Sequence, residues 1–303
     1  MKHRSKVRQL FIEAQGVISF LCIVINLLFW LPFLLVFTLL KFFIPVPVWK
    51  RKVTSIMVAI YSWATDLDDM LLWRMLGMRL HVTGLDDVNP KNSYLVLVNH
   101  QSWSDIFVLQ SILNRKTSLI KFIVKRELIY LPIVGLICWA YDFPFVVRSS
   151  ANKNQRRDKN LNNLEKSIRF IPHSPATIVN FAEGTRFTKE KHKRKKSPYR
   201  YLLPPKSTGT LFILRSMEGY IHKVLDVTIV YDPEPRSFLS FLAGQTRDIV
   251  VRVRQIEARE FTGPISRLET SGKEDPGAER MEELWKQKDE FIRSIYKRNS
   301  ESK

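Results

Sequence analysis

The chain has 303 residues, of which 45% are hydrophobic and 12% are aromatic. This composition excludes an intrinsically disordered chain and leaves room for one large catalytic domain with accessory segments. The formal net charge of +19 predicts an anionic partner such as nucleic acid, an acidic lipid surface or a phosphorylated substrate. The two cysteines, Cys22 and Cys138, lie in apolar stretches, which excludes a disulfide framework and a cysteine metal cluster.

The first predicted element is embedded in a membrane. Residues 17–40 carry no charge, and a helix of that length extends about 36 Å, enough to cross a hydrocarbon core of about 30 Å. A cleaved signal peptide is the alternative, since basic residues precede the run. The run is too long for the apolar part of a signal peptide, and no small-residue cleavage site follows it.

Pro32 divides this run near its middle, and basic residues flank it at 2–8 and at 41–52. Under the positive-inside rule both flanks prefer the cytoplasm, which a single span cannot satisfy. A helical hairpin or re-entrant element that breaks near Pro32 satisfies both flanks and is favoured over a single span. Residues 1–52 are therefore predicted to form a basic N-terminus and membrane anchor.

Residues 53–80 are rich in methionine, leucine and tryptophan. Trp63 and Trp73, together with Arg74 and Arg79, favour a pair of helices at the membrane interface. A pair of amphipathic core helices is the alternative interpretation.

From about residue 79 onward, strand-like and helix-like patterns alternate, with turn signals such as Gly84 and Asn89-Pro90 between them. This alternation predicts an α/β fold with a central mixed sheet flanked by helices. The catalytic domain is predicted to cover residues 81–260, and a charged linker and helix to cover 261–303. Strands are predicted over 79–83, 94–98, 118–124, 143–147, 176–181, 224–231 and 249–254, and helices over 102–113, 160–171, 207–217 and 279–297.

A histidine and an aspartate follow the second of these strands. His100 lies at a strand–helix junction, where α/β proteins place their sites, and Asp105 comes five residues later. A carboxylate at this spacing can fix the imidazole tautomer and leave the other ring nitrogen able to take a proton from a hydroxyl. Ser102 and Asp105 also match the pattern of a helix capping box, and the two roles are compatible.

A second polar run, Glu183-Gly184-Thr185-Arg186, ends the predicted strand at 176–181. Glycine allows close approach of the backbone, threonine supplies a hydroxyl, and arginine supplies a planar group that matches phosphate. Alone, this tetrapeptide is a weak signal, and a solvated turn is its default interpretation. Together with His100 in one α/β domain, it favours acyl transfer to a phosphate-bearing acceptor.

With these two runs the chain resembles the glycerolipid (lysophospholipid) acyltransferase family, which includes the 1-acylglycerol-3-phosphate acyltransferases. The family's first block, Asn-His-x-Ser-x-x-Asp, is matched by Asn99, His100, Ser102 and Asp105. Its third block, Phe-Pro-Glu-Gly-Thr-Arg, is matched by residues 181–186, with alanine in place of proline.

Two further segments carry the resemblance. The second block, an apolar strand ending in arginine, is matched by residues 145–148, and the connecting segment before it by residues 125–128. The fourth block normally contains proline, but here it is an apolar strand with Asp226-Val227-Thr228. This version is similar to a sub-branch that includes the lysocardiolipin acyltransferases of animals, and the chain resembles bacterial members of that sub-branch.

The resemblance implies a glycerol-3-phosphate acyltransferase-like fold and a transfer that uses no metal or cofactor. His100 would deprotonate a glycerol hydroxyl of the acceptor, and Asp105 would orient the imidazole. The donor would be acyl-CoA or acyl carrier protein, attacked without an acyl-enzyme intermediate. The acceptor's glycerol and phosphate would be bound by Glu183, Gly184, Thr185 and Arg186, with Arg148 as a second phosphate contact and Lys125 as a third.

The implied partners are membrane lipids, a lysophospholipid acceptor and the acyl donor. The implied location is a membrane, the inner membrane in a bacterium, with the catalytic domain on the cytoplasmic side. The basic run 189–196 is either a solvated loop or a contact for anionic headgroups, acyl carrier protein or the phosphates of CoA. It contains no interleaved aromatic residue, which argues against nucleic acid.

Three functions therefore stay open. The first is an acyltransferase that converts 1-acyl-glycerol-3-phosphate to phosphatidic acid. The second is an acyltransferase that remodels another lysophospholipid, of the lysophosphatidylglycerol or lysocardiolipin type. The third is a non-enzymatic basic protein that binds membrane lipid, which would need neither His100 nor Arg186.

Overall fold

The computed structural model describes residues 2–44, 46–146, 162–163, 165–166, 175–235, 237–262 and 275–301. Its strands are β1 (Arg79–Thr83), β2 (Ser93–Val98), β3 (Leu119–Phe122), β4 (Val124–Lys125), β5 (Phe145–Val146), β6 (Ala176–Phe181), β7 (Ile221–Asp232) and β8 (Asp248–Glu257). Its long helices are α1 (Lys2–Phe43), α2 (Pro47–Asp69) and α9 (Pro276–Glu301). The shorter helices are α3 (Asp105–Leu113), α4 (Pro132–Ala140), α5 (Lys189–Arg194), α6 (Ser207–Ser216), α7 (Phe238–Leu242) and α8 (Arg259–Thr262).

Six of the strands form one mixed sheet in the order β1-β8-β7-β2-β6-β3. The four strands β7, β2, β6 and β3 run parallel to one another, while β8 runs antiparallel to β7 and parallel to β1. The predicted α/β fold with a central mixed sheet is confirmed. The predicted strand at 118–124 is divided, because its last residues leave the sheet as β4 and pair with β5.

The centre of the sheet is β2, whose six residues are all buried. Successive side chains of a strand point to opposite faces, so β2 contributes to two cores. Leu95 and Leu97 pack with side chains of α6, α8 and α9 on one face. Val96 and Val98 pack with side chains of α3 and α7 on the other. The sheet is therefore covered by helices on both faces.

Helix α9, which the sequence predicts as a charged terminal helix, packs on this core through an apolar face. Its stripe Met281, Leu284, Trp285 and Ile292 is buried against the sheet. The helix thus belongs to the catalytic domain, which extends past the predicted limit at residue 260. Of the predicted linker and helix at 261–303, residues 263–274 lie outside the described part, and the helix begins at Pro276.

The predicted break near Pro32 is wrong, because α1 continues through this residue from Lys2 to Phe43. An internal proline removes a single backbone N–H, and neighbouring helices can compensate for the loss. The chain instead turns between α1 and α2, where the sequence has Pro45 and Pro47, and proline disfavours a helical conformation in the residue before it. Helices α1 and α2 therefore form a different hairpin from the predicted one, with α1 ending at Phe43 and α2 beginning at Pro47.

The two helices of this hairpin pack against each other through polar and aromatic contacts. The amide of Asn26 donates hydrogen bonds to the carbonyl oxygen of Ala64 at 2.8 Å and to the carboxylate of Asp68 at 2.9 Å. The rings of Trp30 and Trp63 lie 5.7 Å apart. In place of a predicted second helix, α2 continues into one π-helical segment, Met70–Met75, which leads to β1.

Within α1, residues 9–43 form the one helix among the described residues that is long and apolar enough to cross a membrane, by length and composition alone. A stripe of small and polar residues faces the protein, including Gly16, Ser19, Asn26 and Thr38. Large apolar side chains such as Phe11, which is 72% exposed, point away from it. This helix is consistent with association with a membrane.

The predicted helix at 160–171 lies outside the described residues, except for residues 162–163 and 165–166, which are helical. The predicted strand at 143–147 is described as far as Val146.

Gly84 ends β1 with a φ of +86°, and a Cβ there would lie 1.9 Å from the carbonyl oxygen of Val253 in β8. Gly219 has a similar φ of +83°, but a Cβ there would have no neighbour within 4 Å. We expect Gly219→Ala to cost about 1 kcal/mol through the backbone conformation alone, and Gly84→Ala to cost about 3 kcal/mol, since a clash adds to it. Thermal unfolding of the detergent-solubilised variants measures this difference, and equal losses would contradict the close approach of β1 and β8.

Candidate functional site

The two polar runs of the sequence meet at the carboxyl ends of β2 and β6. These strands are parallel and in register, with Val98 paired to Phe181. His100 and Glu183 each follow two residues after that pair. The main-chain N–H of Phe187 donates a hydrogen bond of 2.7 Å to the carbonyl oxygen of His100, so the runs are joined along their length.

The structure brings His100 and Asp105 together as the spacing predicts. The distance between His100 Nδ1 and Asp105 Oδ2 is 2.8 Å. A carboxylate accepts hydrogen bonds, so Nδ1 of the neutral imidazole carries the proton and Nε2 presents a lone pair. The ring stacks on Phe181 with centroids 4.0 Å apart, and the side chain of His100 is 15% exposed. The imidazole is held firmly and remains accessible to a small reacting group.

Asp105 is completely buried and accepts four hydrogen bonds. Besides His100, its Oδ2 accepts from the main-chain N–H groups of Gln101 at 2.8 Å and Ser102 at 3.0 Å. Its Oδ1 accepts from the hydroxyl of Tyr231, at the end of β7, at 2.6 Å. These donors compensate the carboxylate for the loss of water and fix both of its oxygens.

The capping interpretation of Asp105 holds in part. Asp105 is the first residue of α3 and reaches back to the N–H of Ser102, as the acid of a capping box does. The reciprocal bond is missing, since the hydroxyl of Ser102 accepts from the N–H of Ser104 instead. One carboxylate therefore begins the helix and also orients His100.

Glu183, which was predicted to contact the acceptor, lies inside the protein. Its side chain is buried, and Oε1 accepts from the N–H of His100 at 3.2 Å while Oε2 accepts from the N–H of Leu203 at 3.1 Å. Burial raises the pKa of Glu183 to about 8, an effect that these hydrogen bonds only partly offset. Glu183 is placed to join three loops, and direct contact with a ligand would require it to leave them.

Gly184, Thr185 and Arg186 form a turn beside the His100 loop. Gly184 has a φ of +67°, which favours glycine, and a Cβ there would lie 3.1 Å from Nζ of Lys206. The hydroxyl of Thr185 accepts from Nζ of Lys191 at 2.9 Å. The guanidinium of Arg186 lies over the ring of Trp103, 4.7 Å from its centroid, which places the cation next to the loop of His100.

The basic run 189–196 is a short helix, α5, followed by a turn, and it closes on this site. Thr188 caps α5 by accepting from the N–H of Lys191. Lys191 Nζ also donates to the carbonyl oxygen of Arg186 at 3.0 Å, and Lys195 Nζ lies 3.4 Å from the carbonyl oxygen of Glu183. Lys191, Lys195, Lys206 and Arg186 thus surround the turn with positive charge, which suits a phosphate.

The other two predicted phosphate contacts are Lys125 and Arg148. Lys125 is exposed in β4, which pairs with β5 in a separate two-stranded sheet. Arg148 lies outside the described residues. In the described part of the chain, no group of three or more histidine, cysteine, aspartate or glutamate side chains is placed to hold a metal ion.

Three buried residues support the site and were given no role from the sequence. Tyr231 contacts Asp105 as described above. The amide of Asn99 pairs with the main chain of Ile229 in both directions, at 3.0 Å and 2.9 Å, where β2 ends beside β7. Lys288 of α9 contacts the carbonyl oxygens of Leu97 and Val227 and lies 2.6 Å from Asp226.

A signal for one of these residues is present in the sequence. Lys288 lies on the apolar stripe of α9 at helical spacing from Leu284 and Ile292, which indicates a buried lysine that needs a partner. Asp226, in the middle of an apolar strand, is that partner. Tyr231 gives no such signal, since a tyrosine is ordinary at the end of a strand.

The model of the acyltransferase family matches residues 79–232 of this chain. The chain is 28% identical to 1-acyl-sn-glycerol-3-phosphate acyltransferase 3 of Arabidopsis thaliana, in an alignment that covers 62% of this chain and 52% of the relative. It is 26% identical to 1-acyl-sn-glycerol-3-phosphate acyltransferase delta of Homo sapiens, over 68% of this chain and 54% of the relative. It is 25% identical to lysocardiolipin acyltransferase 1 of Danio rerio, over 78% of this chain and 63% of the relative. The chain thus spans about half the length of the first two relatives.

Among solved structures, the chain is similar to the 1-acyl-sn-glycerophosphate acyltransferase PlsC of Thermotoga maritima. The TM-score is 0.56 at 16% identity, and the match covers 95% of this chain and 98% of that one. At this identity the likeness shows the fold, which includes the long N-terminal helix.

The raised pKa of Glu183 predicts how stability depends on pH. The folded protein binds this proton more tightly than the unfolded chain does, so the stabilising contribution is complete below about pH 4.5 and is lost as the pH rises to about 8. Glu183→Gln removes the titrating group. We expect the unfolding midpoint of the wild type to fall relative to this variant by about 5 °C or more between pH 5 and pH 8.

The measurement is thermal unfolding of both proteins across this pH range. Glu218→Gln, at an exposed glutamate, is the matched control and should follow the wild type at every pH. Parallel curves for the wild type and Glu183→Gln would show that Glu183 does not titrate in this range.

Proposed function

This chain belongs to the acyltransferase family, and we propose that it transfers a fatty acyl group to the free hydroxyl of 1-acyl-glycerol-3-phosphate, forming phosphatidic acid. The donor in this proposal is acyl-CoA or acyl carrier protein. The observation that carries it is the buried contact of 2.8 Å between His100 Nδ1 and Asp105 Oδ2 beside a turn that carries Arg186. A purely lipid-binding protein would have no use for an imidazole oriented in this way.

The proposed reaction runs through the free nitrogen of His100. Nε2 takes the proton of the acceptor hydroxyl as its oxygen attacks the thioester carbonyl, forming the new C–O bond. The C–S bond then breaks, and the imidazolium returns the proton to the departing thiolate. Asp105 stabilises the imidazolium between these steps, while Tyr231 holds the carboxylate from its other oxygen. In this proposal no metal or cofactor takes part.

The acceptor's phosphate is proposed to lie at the turn of residues 184–186. Arg186 offers a planar group that binds phosphate through two parallel hydrogen bonds. Nζ of Lys191, which belongs to α5, lies 2.9 Å from the hydroxyl of Thr185 in this turn. Glu183 is proposed to position the turn and His100 through their main chains, in place of the predicted contact with the glycerol.

We propose that α1 attaches the protein to the surface of a membrane. Its protein-facing stripe runs from Gly16, whose Cβ would lie 2.6 Å from the carbonyl oxygen of Leu239 in α7, to Thr38. A helix docked over that length cannot cross the bilayer without drawing the domain in with it. In the interface both basic flanks meet anionic headgroups of one leaflet, proposed to be the cytoplasmic one.

A second acceptor class is supported by the likeness to lysocardiolipin acyltransferase 1 of Danio rerio, which covers 78% of this chain. In that case the chain would remodel a larger lysophospholipid. Asp226, which distinguishes the fourth block, does not choose between the acceptors directly, because it is buried and paired with Arg254 at 2.6 Å and with Lys288.

The test is a transfer assay with radiolabelled oleoyl-CoA on purified membranes, with lysophosphatidic acid, lysophosphatidylglycerol and lysocardiolipin as acceptors. We expect transfer to lysophosphatidic acid, reduced by about 10²–10⁴-fold in His100→Ala because positioned proton transfer is lost. His222→Ala, at an exposed histidine, is the control and should keep full activity. Transfer only to a larger lysolipid would establish the second acceptor class, and residual activity of His100→Ala above about 1% would contradict the role of the base.

The role of Arg186 is tested separately by kinetics. We expect Arg186→Ala to raise the acceptor KM by about 10-fold or more while the donor KM is unchanged, since one charged contact to phosphate is lost. Arg200→Ala, at an exposed arginine of the same basic region, serves as the control. An unchanged acceptor KM in Arg186→Ala would exclude its contact with phosphate.

A further inference from the structure

A cleft of about 1260 Å³ opens at the edge of the sheet opposite to His100. Pro90, Ser118 and Pro175, which precede β2, β3 and β6, form part of its wall. His100 and Glu183 follow the other ends of β2 and β6, so the length of a six-residue strand, about 20 Å, separates the cleft from the site of transfer. The remaining walls are the end of α1, the beginning of α2 and the end of α4.

The described residues that line the cleft carry a large excess of positive charge. Its cations are Lys41, Lys50, Arg51, Arg115 and Lys121, and its only carboxylate is Asp142. Asp142 pairs with Lys41 at 3.2 Å, and Arg115 pairs with Asp66 outside the cleft at 2.5 Å. Lys50 and Arg51 are exposed on the first turns of α2. A cleft lined by more cations than carboxylates attracts an anion.

Lys121 forms part of the floor and is 8% exposed. Its Nζ has one long contact of 3.5 Å to the carbonyl oxygen of Asp142. Burial lowers the pKa of Lys121, the result expected for a cation with too little compensation. A phosphate in the cleft would provide the missing negative charge.

At the ends of two helices beside the cleft, charged residues adopt a left-handed backbone conformation that glycine adopts at lower free energy. Arg115 follows α3 with a φ of 60°, and Asp142 follows α4 with a φ of 54°. This left-handed conformation is disfavoured for side chains other than glycine. Such conformations cluster at functional sites, and Arg115 and Asp142 both line this cleft.

The mouth of the cleft is apolar and continues from α1. Phe42 at the end of α1 is 70% exposed, and Trp139 of α4 is 51% exposed. Both line the cleft together with Pro47. The volume is much larger than a small inorganic anion needs. The cleft therefore has room for a ligand that combines a negative headgroup with an apolar part.

We propose that this cleft binds an anionic membrane phospholipid, with its phosphate among Lys41, Lys50, Arg51 and Lys121 and its acyl chains along Phe42 and Trp139. The lipid would enter from the leaflet in which α1 lies, since the cleft opens at the end of that helix. The site is separate from the acceptor site around Arg186. Binding of lipid to this site can be measured whether or not the chain transfers acyl groups.

The test is native mass spectrometry of the detergent-solubilised full chain with dioctanoyl-phosphatidylglycerol. We expect one lipid to be retained, and the apparent Kd to rise at least 10-fold in Lys50→Glu/Arg51→Glu. Lys286→Glu/Arg293→Glu changes the net charge equally at exposed positions of α9 and should shift the Kd less than twofold. Lys121→Met should also weaken binding, while thermal unfolding shows whether each variant is folded.

Two further ligands and one further variant separate this proposal from its alternatives. Dioctanoyl-phosphatidylcholine and glycerol 3-phosphate should bind at least 10-fold more weakly, since one lacks net negative charge and the other lacks acyl chains. Equal binding of either would overturn the proposal of an anionic lipid. Arg186→Ala should leave retention unchanged, and its loss in that variant alone would place the lipid at the transfer site and overturn the second site.

Discussion

The parallel pairing of β2 with β6 is the constraint on which the candidate site depends. Because Val98 and Phe181 are partners, the chain leaves both strands at the same height. His100 and the turn at Gly184 are therefore neighbours, although more than eighty residues separate them. A shift of one residue in this register would turn the alternating core side chains to the wrong faces, so the hydrophobic core protects the geometry of the site.

Around that pairing, His100 is held at its backbone and at its ring by different partners. Glu183 and Phe187 fix the main chain, while Asp105 and Phe181 fix the imidazole. An imidazole that is already oriented needs no reorganisation when a hydroxyl arrives beside it. This arrangement requires the carboxyl group of Glu183 to be buried, and the burial raises its pKa.

The sequence predicts those parts of the fold that depend on neighbours along the chain. From apolar runs bounded by turn residues, the bounds of β1 and β6 are predicted correctly, and β2 is predicted except for its first residue. The pair of His100 and Asp105 is equally local, since five residues separate them. These features need no knowledge of which strands meet.

The features that the sequence does not predict are decided by distant residues. Helix α1 continues through Pro32 and packs beside α2, a neighbour that no local rule about proline includes. For Glu183 the contact with the acceptor stays a prediction, while the hydrogen bond from the N–H of Leu203, twenty residues away, appears only in the fold. Tyr231 reaches Asp105 across 126 residues, which only the fold reveals.

The position of Lys288 has a consequence for the order in which the protein matures during synthesis. This lysine supports the end of β2 from a residue 191 positions further along the chain. Until α9 has left the ribosome, Leu97 lacks its contact with Lys288 and Asp226 lacks one of its cations. Since synthesis proceeds from the amino end, the end of β2 receives this support only after β1 to β8 have all been made.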